Sequence, residues 1–165
     1  IQEIKKKSIS KLKLCWIGDA NNNMMNSLVE ACIKFSVYLN IACPKSYQPN
    51  KKLISLIKKQ KGKIKIFNKK DIAVKNSDVV MTDKIISLND KVNKKKKLKS
   101  FKNFKVDTKT MNLAKKDAIF LHCLPRGSEV TEEVFLGKQS RVWQQALNRV
   151  YVQKSILLYC FGKLR

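Results

Sequence analysis

The sequence predicts an α/β fold built on a doubly wound, parallel five-stranded sheet with helices on both faces. Three observations carry this. Five short β-rich runs alternate with helix-length segments. Several runs are near-continuous in apolar residues rather than alternating, as in strands covered on both faces. The segments between them place apolar residues at helical spacing. Together they describe a Rossmann-like sheet.

Taken in order, residues 1–8 read as the end of a helix that starts upstream, and the first strand covers Leu12–Ile17. A helix follows from Met24 to Tyr38, with Met25, Leu28, Val29, Cys32 and Phe35 as its apolar stripe. The second strand is Leu39–Cys43. Pro49–Gln60 opens with proline, carries Leu53, Ile54, Leu56 and Ile57, and stops before Gly62. Strands at Lys63–Phe67 and Asp78–Thr82 come next, then two weaker helical stretches, Val92–Phe104 and Thr108–Lys115. The fifth strand is Ala118–His122. From Ser140 the pattern is helical to the end, with Val150, Val152, Ile156, Leu157 and Tyr159 available for burial.

At 165 residues and 44% hydrophobic content, the chain has the size and core of one domain. The longest apolar run, Ser155–Phe161, falls short of the ~18 residues of a membrane span. The first residues carry no apolar stretch of a secretory signal, and a start at Ile rather than Met predicts an internal piece of a longer protein. Cys15, Cys32, Cys43, Cys123 and Cys160 are odd in number and form no CxxC. That points to free thiols in a reducing, cytoplasmic setting rather than a disulfide framework or zinc ribbon.

The net charge of +24 invites a nucleic-acid reading. Two details speak against it. Of the 36 basic residues only four are Arg, the side chain whose fork reads bases and phosphates. The lysines are also spread along the whole chain, and the one dense run, Lys94–Lys97, falls at an expected exposed helix start. With 32 Lys, 13 Asn and 15 Ile, an A/T-rich coding bias accounts for the excess more simply.

In a doubly wound sheet, ligands bind beyond the carboxyl ends of the strands. There the sequence places Gly18-Asp19-Ala20-Asn21-Asn22-Asn23, then Asp83 with Ser87, then Cys123-Leu124-Pro125-Arg126. Neither GxGxxG nor GxxxxGK[ST] is present, so neither glycine-based nucleotide fingerprint is supported. His122 and Cys123 are adjacent, and neighbours on a strand face opposite ways, which is poor geometry for a Cys–His dyad. Singly, each residue has a plain structural reading. His122 is a hydrogen-bonded residue near the sheet end, Cys123 a small buried hydrophobe and Asp83 a helix cap. Asn21–Asn23 are turn residues, and Arg149 is a surface ion-pair partner.

Together they resemble a known family. Phe120-Leu121-His122-Cys123-Leu124-Pro125-Arg126-Gly127 is similar to the HCLP signature of the ornithine carbamoyltransferases. Trp16-Ile17-Gly18-Asp19-Ala20-Asn21-Asn22-Asn23-Met24 resembles that family's W-I-G-D-x-x-N-N-M. Cys43-Pro44-Lys45-Ser46-Tyr47-Gln48-Pro49 resembles A-P-K-x-Y-x-P. Thr82-Asp83 with Ser87 resembles T-D-x-W-x-S-M-G, although Ile85 stands at the Trp and Leu88-Asn89 at the M-G. Glu129–Phe135 is similar to the stretch after HCLP, and Asn148-Arg149 with Gln153-Lys154 resembles E-N-R…x-K.

The resemblance implies the ornithine-binding second domain over residues 9–147, preceded by the end of an interdomain helix. Residues 148–165 would form a C-terminal helix packing toward an absent carbamoyl phosphate domain. The implied reaction moves the carbamoyl group of carbamoyl phosphate onto the δ-amine of L-ornithine, giving L-citrulline and phosphate in arginine biosynthesis. Cys123, Asp83 and Arg149 would be the catalytic set. Asn23 and Ser87 would hold the amino-acid end of ornithine, with Leu88 in the same closing loop, and Asp83 would bind an amino group. The carbonyls of Cys123 and Leu124 would touch the carbamoyl group, and Arg149 would reach the carbamoyl phosphate side. The Leu124–Pro125 bond would be cis. No metal and no organic cofactor is implied. The full-length enzyme is expected to be a homotrimer, with no membrane partner, and this chain alone to be inactive. Carbamoyltransferases for putrescine or a modified ornithine remain alternatives. So do a basic module for nucleic acid or anionic surfaces, and a non-catalytic relic. The aspartate branch fits less well, because its H-P-L-P differs from His122-Cys123-Leu124-Pro125.

Overall fold

A computed structural model describes residues 1–60, 62–86 and 93–163. Its strands are β1 (Lys13–Ile17), β2 (Tyr38–Ala42), β3 (Ile64–Phe67), β4 (Val79–Thr82) and β5 (Ile119–His122). They form one parallel sheet in the order β3-β2-β1-β4-β5, each within a residue of its expected bounds. The helices are α1 (Gln2–Lys5), α2 (Asn23–Lys34), α3 (Lys51–Lys58), α4 (Lys70–Val74), α5 (Lys94–Phe101), α6 (Thr108–Leu113), α7 (Glu132–Phe135) and α8 (Val142–Cys160). The fold is therefore the doubly wound α/β sheet the sequence predicts.

Strand residues alternate between the two faces, so each strand feeds two cores. Leu14 and Trp16 of β1 join Leu39 and Ile41 of β2 against Met25, Val29 and Cys32 of α2 and Leu53 and Ile57 of α3. Cys15 and Ile17 join Val80 and Phe120 on the other face, under Ala73 and Val74 of α4, Phe101 of α5 and Met111 of α6. Each such fully buried aliphatic or aromatic side chain is worth roughly 1.5–3 kcal/mol of transfer free energy. Local chemistry starts the helices. The side chains of Asn22, Asn50, Asn93 and Asp107 accept hydrogen bonds from the N–H groups of Met25, Leu53, Lys96 and Thr110 at 2.8–3.2 Å.

The structure corrects two expectations and adds two findings. The helix expected to Tyr38 ends at Lys34, because Ser36 turns left-handed at φ 55° and releases Val37 and Tyr38 toward β2. The short helices α4 and α7 span about one turn each, too little for a periodic pattern to register. The Lys94–Lys97 run is not all solvated: Lys94–Lys96 are exposed, but Lys97 is buried, one turn before the buried Phe101 on the same helix face. On α8 only Val142 is buried, and Val150, Val152, Ile156, Leu157 and Tyr159 are all more than half exposed. The sequence marks these five as available for burial, and the described residues leave that face uncovered.

The register positions the site. Trp16 pairs with Met81, and Thr82 pairs with His122, so β1, β4 and β5 end level. The strand order reverses between β1 and β4, which makes the gap between their following loops the topological switch point. Gly18 leaves β1 with φ +153°, a region that L side chains rarely adopt, so the loop that follows depends on glycine there.

Candidate active site

The loops after β1, β4 and β5 leave the same edge of the sheet side by side, and two of the expected residues meet there. The Cys123 thiol donates to Asp83 Oδ1 at 2.8 Å, and the backbone N–H of Lys84 donates to the same oxygen at 2.8 Å. Both side chains are half-buried. Oδ2 of Asp83 accepts nothing from the described residues, so the carboxylate keeps one oxygen for an incoming cation. A thiol and a carboxylate sharing one proton form a unit that can receive a second proton from an amine. Cys15, Cys32 and Cys43 are fully buried in the two cores. Burial pushes the thiols of Cys32 and Cys43 up to about 11 and about 12, and that of Cys15 higher still, which marks them as packing residues.

Behind this pair stands a buried cation. His122 is 1% exposed. Its Nδ1 donates to the carbonyl of Cys123, and its Nε2 lies 2.9 Å from Glu129 Oε1. A carbonyl can only accept, so Nδ1 carries a proton. Glu129 also accepts from the N–H of Gly127 at 2.6 Å, which suits the ionised carboxylate, so Nε2 is protonated as well. Burial alone would lower the His122 pKa, but the bonds to Cys123 and Glu129 outweigh it and push it up to about 10. Burial likewise pulls Glu129 upward, and the bonds from His122 and Gly127 reverse this and hold it below the usual carboxylate value. The result is an imidazolium fixed through the carbonyl of the residue that carries the thiol. The sequence singled out His122 only as a hydrogen-bonded residue near the sheet end, which it is. The sequence assigns Glu129 no individual role, although it and Asp117 are the two carboxylates within seven residues of the only histidine.

Gly127 makes this pairing possible by close approach. A Cβ there would lie 2.6 Å from Glu129 Oε2 and 3.0 Å from Oε1. The carboxylate cannot retreat without releasing His122. Gly127→Ala is therefore expected to destabilise the chain by about 1–3 kcal/mol, read as a lower urea midpoint with an unchanged slope. A midpoint equal to wild type would mean that Glu129 is free to move.

The other expected residues are placed less closely. Asn23 opens α2 at the same edge, exposed, while its neighbour Asn22 is the cap. Leu124 is exposed, and the Leu124–Pro125 bond is cis. Arg149 is exposed on α8 and makes no hydrogen bond or ion pair with the described residues, so it is not brought to the Cys123–Asp83 pair. Ser87 and Leu88 lie outside the described residues. No cluster of three or more His, Cys, Asp or Glu side chains suited to a metal occurs among the described residues. No helix among them is long and apolar enough to cross a membrane.

Comparison with known proteins agrees with this geometry. Residues 10–160 match the family model for the Asp/Orn binding domain of aspartate/ornithine carbamoyltransferase. The ornithine carbamoyltransferase of Methanococcus maripaludis is 44% identical over 163 residues, covering 94% of this chain and 53% of the relative. That of Methanocorpusculum labreanum is 40% identical over 149 residues, covering 89% and 48%. Among solved structures, ornithine carbamoyltransferase from Pyrococcus furiosus superposes with TM-score 0.86 at 34% identity, covering 100% of this chain and 54% of that one. The anabolic enzyme from Campylobacter jejuni gives 0.85 at 36% identity, covering 96% and 55%. The chain thus spans about half the length of the relatives it matches. With matching fold, matching order of motifs and a family model that covers nearly all of it, the chain belongs to the aspartate/ornithine carbamoyltransferase family, as its Asp/Orn binding domain.

Proposed function

We propose that this chain is the ornithine-binding half of an ornithine carbamoyltransferase and supplies the groups that bind and deprotonate the amine. The observation that carries the reading is the Cys123–Asp83 contact of 2.8 Å at the switch-point edge of the sheet. L-Ornithine arrives with its δ-amine protonated. The Asp83 carboxylate attracts the cation, and the Cys123–Asp83 unit takes one proton from it. The free amine then attacks the carbamoyl carbon of carbamoyl phosphate. A C–N bond forms, the C–O bond to phosphate breaks, and the nitrogen's second proton leaves with the phosphate. Arg149 and a carbamoyl phosphate domain from the remainder of the enzyme would stabilise the oxyanion and hold the phosphate. Asn23, with Ser87 and Leu88, would hold the amino-acid end. The assembled enzyme would be a cytoplasmic homotrimer.

The isolated chain is expected to form no citrulline in a colorimetric assay. Joined to the part of the Methanococcus maripaludis relative that it does not cover, it should turn over L-ornithine in preference to putrescine. Ordinary turnover by the isolated chain, or preference for putrescine in the joined enzyme, would contradict this reading.

A further inference from the structure

One lysine outside the catalytic pair organises the loop that carries Asn23. Lys97 Nζ lies 2.7 Å from Asp19 Oδ2, with side-chain exposures of 6% and 11%. The ammonium also sits over the Tyr47 ring at 5.6 Å, and that ring packs on Phe101 at 4.8 Å, one turn along α5 from Lys97. Asp19 in turn shapes the loop. Its Oδ1 accepts from the N–H of Asn21 at 2.9 Å, and its carbonyl accepts from Asn22 Nδ2 at 3.1 Å and Trp16 Nε1 at 3.2 Å. Asn22 caps α2, whose first residue is Asn23. Ala20 N–H, next along, donates to the carbonyl of Tyr47 at 3.0 Å. The loops after β1 and β2 and the helix α5 are therefore tied at one buried point.

We propose that Lys97 is a positioning residue for the amino-acid end of the substrate, acting through Asp19 on the loop that presents Asn23. The substrate part of this rests on the ornithine reading above. A buried ion pair adds little stability over an apolar pair of the same volume, but it admits one geometry where apolar contacts admit several. Here that geometry fixes the loop before α2, assigned to the amino-acid end, to one residue of α5.

The test uses the whole chain as wild type, Lys97→Met, Lys97→Arg and the double variant Asp19→Asn/Lys97→Met. The double variant removes both charges of the Lys97–Asp19 pair and so separates loss of the pair from the cost of leaving Asp19 unpaired. Amide hydrogen exchange over residues 18–25 is expected to speed up about tenfold in Lys97→Met and in the double variant, with β1, β4 and β5 unchanged, and to return to the wild-type rate in Lys97→Arg. In calorimetric titrations, L-ornithine binding should weaken about tenfold in the same two variants, while putrescine, which lacks the amino-acid end, should bind as to wild type. Unchanged exchange over residues 18–25, or acceleration spread equally over all strands, overturns the proposal, as does an equal loss for both amines. If the loop responds as expected but the wild-type chain takes up no L-ornithine, the ornithine reading is what fails.

Discussion

Replacing Cys123 with Ser, in the enzyme that joins this chain to its carbamoyl phosphate half, is expected to lower kcat for citrulline formation by roughly 10²–10⁴-fold. Serine preserves the shape and can still donate to Asp83, so ornithine binding should change far less. What is lost is a donor that can pass its own proton to Asp83 and take the amine's proton in exchange, because an alkoxide is far less accessible near neutral pH than a thiolate. The proton leaves the amine on the way to the transition state, so the effect belongs in kcat rather than in ground-state affinity. Steady-state kinetics at saturating carbamoyl phosphate decide it. An unchanged kcat reduces Cys123 to a packing residue and leaves Asp83 to act alone.

Breaking the buried pair behind the thiol gives the largest expected loss of stability. Glu129→Leu leaves His122 and the N–H of Gly127 without their acceptor, and removing one partner of a buried ion pair typically costs about 3–5 kcal/mol. The pH dependence identifies the cause. His122 is raised from 6.5 to about 10, so its contribution is complete below the lower value and is lost as pH rises through the upper one. Glu129 is lowered from 4.5, so its contribution is complete above that value and is lost as pH falls through the lowered one. Both are therefore complete between 4.5 and 6.5. The stability difference between wild type and Glu129→Leu should be greatest near about pH 6 and shrink toward about pH 10, measured by urea unfolding at each pH. The chain's many lysines titrate in both proteins and cancel in the difference. A gap that does not vary with pH would mean that His122 is neutral in the folded chain.

Much of the architecture is legible in the sequence. Strands such as Ala118–His122 declare themselves because burial on both faces demands a continuous apolar run, whatever they pack against. Helix starts near Met24, Pro49 and Thr108 were legible as well; the structure adds their caps, Asn22, Asn50 and Asp107, which are local because a cap needs only its own side chain and an N–H three residues on. The edge where Asp83 and Cys123 lie was legible too, because strand polarity places every βα loop of a parallel sheet on one side. The helical reading of Ser140 onward shows the limit. Periodicity identified a helix and its apolar stripe, but burial depends on what lies opposite, and no described residue covers Val150, Ile156 or Tyr159.

By itself, then, the sequence determined the order of strands and helices, the loops that meet at the carboxyl edge, and the motifs that place the chain in its family. Each of these rests on neighbours in sequence or on strand direction. Tertiary structure alone decided which polar groups lose water and find partners. It set Cys123 on Asp83 across 40 residues. It drew one lysine of a four-lysine run inward to Asp19. It closed His122 and Glu129 into a dry ion pair over a glycine. A charge's state depends on its distance to other charges and on its exclusion from water, and both are settled only when distant segments pack.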